Sequence, residues 1–172
     1  LWPLLAKKRV QRLLVLAPAS LVPQWQERLR QMFDIRLTPY AAEIDTDRTD
    51  YWNTHHWVVA SLPTLRKDIN GRHERMLKAD DWDLLIIDEA HHLNSLEDSG
   101  ATLGYRFVQK LIEHGKFASR LFFTATPHRG KNYGFFALLR LLRPDLFDAN
   151  KPFEEQQHHV RDVIIRNNKQ NV

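Results

Sequence analysis

The stretch Leu84 to Leu93, LLIIDEAHHL, runs four apolar residues into two carboxylates, an alanine and two imidazoles. A run that is apolar at every position reads as a strand buried on both faces, so Asp88 leaves it at a fixed point. A carboxylate held that way suits contact with a hard cation such as Mg2+, directly or through water. Glu89, one residue later, can orient a water and take its proton. A cation, a water and a phosphate ester together make nucleotide hydrolysis. The pair also has a plain reading, as carboxylates favoured by the dipole at a helix N-terminus.

Three histidine pairs, His55-His56, His91-His92 and His158-His159, raise the question of a metal site. Adjacent side chains point different ways, and DEAHH lacks the H-E-x-x-H spacing that sets two imidazoles on one helical face. A zinc hydrolase built on these groups is therefore the weaker reading, and His92 is expected to be structural or superficial. The chain contains no cysteine, which excludes disulfides and thiolate ligands.

The elements that must position these groups follow from periodicity. Buried strands are expected at 12–18, 56–61, 83–88 and 119–126, each a short apolar run, with 35–40 a candidate short strand. Residues 20–33 place Leu21, Trp25, Leu29 and Met32 at helical spacing, with Ser20 as N-cap and Trp25 packed on the sheet. Residues 41–54 read as a polar, acidic connection. Asn70-Gly71 separates two short helices, 101–115 is an amphipathic helix, and 132–144 is an apolar helix stopped by Pro144. The run 159–166 reads as a strand or a lead-out. Strands separated by helices imply an α/β fold with a parallel sheet covered on both faces and right-handed crossovers.

Open sheets of this kind bind ligands beyond the carboxyl ends of their strands. Four polar endings fall there: Asp88-Glu89, Thr124 with Thr126, Pro18-Ala19-Ser20, and Ser61. Each has a modest alternative. The threonines can close hydrogen bonds at a strand end, Ser20 and Ser61 can cap helices, and Arg66 and Lys67 can be solvated surface.

The 172 residues fit one domain, and the net charge is +4. Six basic side chains against one acid fall in residues 1–30, and eight against one in 106–143. Acid-rich stretches, Glu43 to Asp50 and Asp80 to Asp98, lie between them. Such segregation points to a polyanion partner on one face and a metal or phosphate site elsewhere. No apolar run reaches the roughly 20 residues of a membrane helix, no membrane partner is expected, and a cytoplasmic location is.

The order of these segments resembles a known family. DEAHH after LLII is similar to motif II of superfamily 2 helicases and translocases, and FFTATPHRGK (122–131) to their motif III and its flank. LVLAPASLVPQWQERL (14–29) resembles motif Ia, and VVASLPTLRKD (58–68) the block that follows. The Swi/Snf-type branch, and within it the bacterial RapA-like ATPases, matches best, over nearly all of residues 10–148. The resemblance implies a RecA-like fold of the P-loop NTPase type, with ATP and Mg2+ as ligands of the parent protein. It implies that Asp88 reaches the Mg2+ of ATP, Glu89 polarises water and His91 links the nucleotide site to a facing domain. Thr124, Ala125 and Thr126 would couple hydrolysis to domain movement. Ser20, Gln24, Ser61, Thr64, Arg66, Lys67, Arg129 and Lys131 would meet a nucleic-acid backbone, with double-stranded DNA the expected partner and RNA polymerase a possible one.

A phosphate loop of the form G-x-x-x-x-G-K-[ST] precedes motif Ia in that family. The first glycine here is Gly71, so no such loop occurs in these residues. The expectation is a first motor lobe over 1–150, trimmed before motif Ia, with 151–172 leading toward a second lobe, and inactive by itself. Two other readings stay open: a strand-separating helicase subunit of a restriction or defence system, and a non-catalytic lobe that binds DNA or protein.

Overall fold

The computed structural model describes residues 10–93, 95–96, 100–125 and 132–165. At its centre lies β1 (Leu13–Ala17), every residue of which is buried. Strands β3 (Trp57–Ser61) and β4 (Trp82–Ile87) flank it, both parallel to it. The short β2 (Thr38–Pro39) pairs outside β3, and β7 (Phe117–Phe122) outside β4. The sheet order is β2-β3-β1-β4-β7, with every pairing parallel. All five apolar runs read as strands are thus in one sheet, although β7 starts at Phe117 and stops at Phe122, short of the threonines.

Parallel neighbours cannot be joined by a hairpin, so each connection crosses a face and carries helix. Side chains alternate between the two faces. Leu13, Val15, Val59, Leu84 and Ile86 form one face, covered by Leu29 and Trp25 of α1 (Val22–Phe33). Leu14, Leu16, Val58, Ala60, Leu85 and Ile87 form the other. On that side pack α2 (Tyr51–Thr54), α3 (Leu62–Leu65), α4 (Arg72–Lys78), α5 (Leu103–Glu113) and α6 (Asn132–Leu142). A small antiparallel pair, β5 (Ser95–Leu96) with β6 (Gly100–Ala101), follows the turn after β4.

Several expectations are corrected. Ser20 is not the N-cap of α1. Residues Ala19–Leu21 form a 3-10 turn, Leu21 donates its N–H to the Pro18 carbonyl at 2.9 Å, and α1 begins behind it with Pro23 in its first turn. Ser61 does occupy the N-cap of α3, but its hydroxyl makes no capping bond. The segment 41–54 is not wholly a surface connection, because α2 inserts Tyr51 and Trp52 into the core at 2% and 1% exposure. The described part of the run 159–166, residues 159–165, contains no strand. A 3-10 turn over Gln157–His159 and α8 (Val160–Val163) follow α7 (Phe153–Gln156). Phe153, Val160, Val163 and Ile164 pack on Phe135, Phe136, Leu139 and Phe147, which holds this segment in helical turns.

The acidic stretch has a structural anchor. Asp45 is buried, accepts from Arg75 Nε at 2.7 Å and from the Tyr40 hydroxyl at 2.8 Å, and its backbone carbonyl takes Arg75 Nη2 at 2.8 Å. Burial first, and the bond to Asp45 second, push the Tyr40 phenol up, so it stays a neutral donor. Asp45→Ala strips partners from both groups and is expected to cost about 2–4 kcal/mol in urea unfolding. Glu74→Ala removes the exposed Glu74–Lys78 pair and should leave the midpoint in place. Equal effects of the two substitutions would contradict this assignment.

Candidate functional site

The turn leaving β4 is tied to the strands on both sides. Asp88 N–H donates to the Leu16 carbonyl of β1 at 2.8 Å. Beyond β7, Phe123 N–H donates to the Ile87 carbonyl at 2.8 Å, and Ala90 N–H returns to the Phe123 carbonyl at 2.8 Å. Glu89, between these ties, has φ 49° and ψ 48°. A left-handed conformation costs a residue with a Cβ about 1–2 kcal/mol, and here the flanking hydrogen bonds impose it.

This geometry separates the two carboxylates. Asp88 is half-buried, with Oδ1 accepting from the Glu89 N–H at 2.9 Å and Oδ2 from the Trp25 indole at 2.8 Å. Each oxygen has two lone-pair positions, so an acceptor site remains on each. Glu89 turns the other way. Its Oε2 is buried and lies 3.0 Å from His91 Nδ1, an ion-pair distance without hydrogen-bond alignment. The same ring nitrogen is 3.1 Å from the Thr124 hydroxyl. His91 is buried in the 3-10 turn Ala90–His92, whereas His92 is exposed.

Asp88, Glu89, His91 and Thr124 are therefore brought together by the ends of β4 and β7. Ala125 lies next to them and is exposed. Thr126, Arg129 and Lys131 fall outside the described residues. Ser20 follows β1 and Gln24 sits in the first turn of α1, both exposed. Ser61 lies beside Ala17 in the β1–β3 register, with Thr64, Arg66 and Lys67 exposed in and just after α3. These groups share the rim at the carboxyl ends of β1 and β3. Among the described residues no cluster of three or more His, Asp or Glu side chains is arranged to hold a metal. A cation at Asp88 would need ligands of its own, as a nucleotide-bound cation has.

Sequence reasoning missed the Trp25 contact. Helical spacing with Leu21 and Leu29 accounted for the ring, and nothing in that spacing points to the donor. No signal in the sequence marks it, because a half-buried indole N–H can be satisfied by water as well as by a side chain.

Comparison with known proteins decides the family. The model of the SNF2-related domain matches residues 1–171. The chain belongs to the SNF2-related domain family. Within it, the chain is 33% identical over 159 residues to the RNA polymerase-associated protein RapA of Yersinia enterocolitica, and 33% to that of Yersinia pseudotuberculosis. Each match covers 90% of this chain and 16% of the relative's length. The SWI2/SNF2 ATPase core of Sulfolobus solfataricus in complex with dsDNA superposes with a TM-score of 0.72, at 18% identity. That match covers 99% of this chain and 36% of the other. The SWI2/SNF2 ATPase core domain of the same organism gives 0.65 at 17% identity, covering 94% of this chain and 33% of the other. These likenesses carry the α/β fold, and the SNF2-related domain is a Swi/Snf-type member of superfamily 2.

The strain at Glu89 is testable apart from activity. Asparagine tolerates left-handed backbone well, so Glu89→Asn should hold or raise stability, by up to about 1 kcal/mol. A loss beyond about 1 kcal/mol in thermal unfolding would mean that the carboxylate, and not the ladder around it, sets the turn.

Proposed function

We propose that this SNF2-related domain is the cation- and water-handling part of an ATP-driven motor whose parent protein moves along double-stranded DNA. The observation that carries the reading is the separation of Asp88 from Glu89 by the left-handed turn. One carboxylate faces the rim with acceptor sites to spare, and the other reaches toward His91 and β7. Asp88 would hold the Mg2+ that accompanies ATP, which offsets phosphate charge when bound. Glu89 orients the attacking water and takes its proton, and His91 next to Thr124 relays the change to the end of β7.

The set Ser20, Gln24, Thr64, Arg66 and Lys67, all exposed, with the half-buried Ser61, offers hydroxyls, amides and positive charge to phosphates. Contacts of that kind position a duplex without reading its sequence, which suits a translocase. The dsDNA bound by a structural neighbour and the name of the RapA relatives support duplex DNA and RNA polymerase as partners of the parent; a cytoplasmic location belongs to the same proposal. Lacking a G-x-x-x-x-G-K-[ST] loop, the 172 residues alone do not turn over ATP.

In the full-length protein, Glu89→Gln should lower DNA-stimulated phosphate release by about 100-fold or more while nucleotide still binds. Unchanged release would remove Glu89 from the chemistry, and release by the 172-residue chain would refute its inactivity. A double-stranded translocase displaces the third strand of a triplex without separating a duplex, and the opposite result would favour the strand-separating reading. Arg66→Ala and Lys67→Ala should each weaken DNA binding equally across sequences and reduce its salt slope by about 1.

A further inference from the structure

We infer that Trp25 is a positioning residue for the metal-facing carboxylate: its indole N–H holds Asp88 in the rotamer presented to the cation. The inference rests on the ATPase reading above and concerns a residue outside motif II, on a different element. Its base is the 2.8 Å bond from Trp25 Nε1 to Asp88 Oδ2, across 63 residues of sequence.

A bonded indole is not routine among the described residues. Trp52 and Trp82 are more deeply buried, yet neither Nε1 has a hydrogen-bond partner. Their rings fill the core and their donors go unused. Trp25 is only half-buried, where water could satisfy its donor, and it meets the carboxylate instead.

The bond is also well placed mechanically. Asp88 Oδ1 is held by the N–H of Glu89 and Oδ2 by the indole. Two donors on two different oxygens fix both the direction and the tilt of the carboxylate. The indole itself cannot swing freely. It packs with Leu29 over the β1 and β4 face, and the Phe123 ring lies 6.2 Å away at 42°. Phe123 is in turn bonded through its backbone to Ile87 and Ala90. One ring therefore braces α1 against the ends of both β4 and β7.

The donor's chemistry fits the task. A lysine or arginine at this position would place positive charge beside the cation, and a hydroxyl could rotate or accept instead of donating. Indole offers a single donor that is uncharged, rigid and not ionisable. Partners that orient a metal-facing group from outside act on metal affinity through geometry, typically by 10–100-fold.

The test uses the full-length protein with Trp25→Phe, which keeps an aromatic ring and removes the donor. The Mg2+ concentration for half-maximal phosphate release at saturating ATP and DNA should rise about tenfold. Mn2+ binding in the presence of a non-hydrolysable ATP analogue, read by electron paramagnetic resonance, should weaken in parallel, with the melting temperature little changed. In protein labelled with 5-fluorotryptophan, the resonance that disappears in Trp25→Phe should shift in Asp88→Ala. Unchanged Mg2+ demand and Mn2+ affinity in Trp25→Phe would overturn the inference, as would a resonance indifferent to Asp88→Ala. If Trp25→Phe melts far below wild type, the fluorine comparison decides alone. Absence of DNA-stimulated phosphate release in the wild type would instead defeat the ATPase reading, a failure separate from these.

Discussion

Leu84, Leu85, Ile86 and Ile87 are shut off from water, alternate ones on each face of the sheet. The strand that carries them is hydrogen-bonded to β1 on one side and β7 on the other. Burial on both faces leaves β4 no freedom to slip, since a shift of one residue would exchange its faces and draw Asp88 into the core. The change from apolar to charged residues therefore happens at one level. Asp88 still completes the ladder through its N–H, and the chain turns only after it. The left-handed Glu89, the 3-10 turn carrying His91 and the contact with Thr124 all take their places from that level.

Charge counts along the chain describe the site less directly. The acidic residues between 43 and 50 suggested a metal or phosphate site, but Asp45 is engaged with Arg75 and Tyr40 away from the strand ends. The basic excess is partly internal too. Arg12 is buried and donates to the Trp52 carbonyl at 2.7 Å, and Lys116 is buried and pairs with Asp81 at 2.5 Å. Arg143 pairs with Asp145, and the bond to Arg143 holds that carboxyl at about 2. Among the described residues, the polar and basic groups left exposed near the rim are those at the start of α1 and around α3.

The parallel sheet and the rim were legible because fully buried strands leave an unbroken apolar run, and a polar residue at the end of such a run stands out. The same logic concealed what was missed. Tyr51 and Trp52 occupy one turn of helix inside a polar stretch, too short to set up a period. The run 159–166 read as a strand or a lead-out, and the helical turns in its described part depend on packing against Phe135, Phe136, Leu139 and Phe147. Trp25 was legible as packing and not as a donor, because spacing reports which face a side chain is on and says nothing of where its N–H points. The order of the strands is set by crossovers and packing, which no local pattern records.

The central claim is that β4 delivers Asp88 to a nucleotide-bound cation. Crystals of the full-length protein grown with Mn2+ and a non-hydrolysable ATP analogue, measured at the manganese absorption edge, address it directly. The account expects the anomalous peak beside the Asp88 carboxylate, in direct contact or through one water, with the turn at Glu89 unchanged. A peak elsewhere, with Asp88 still bonded to Trp25 and facing no cation, would contradict it.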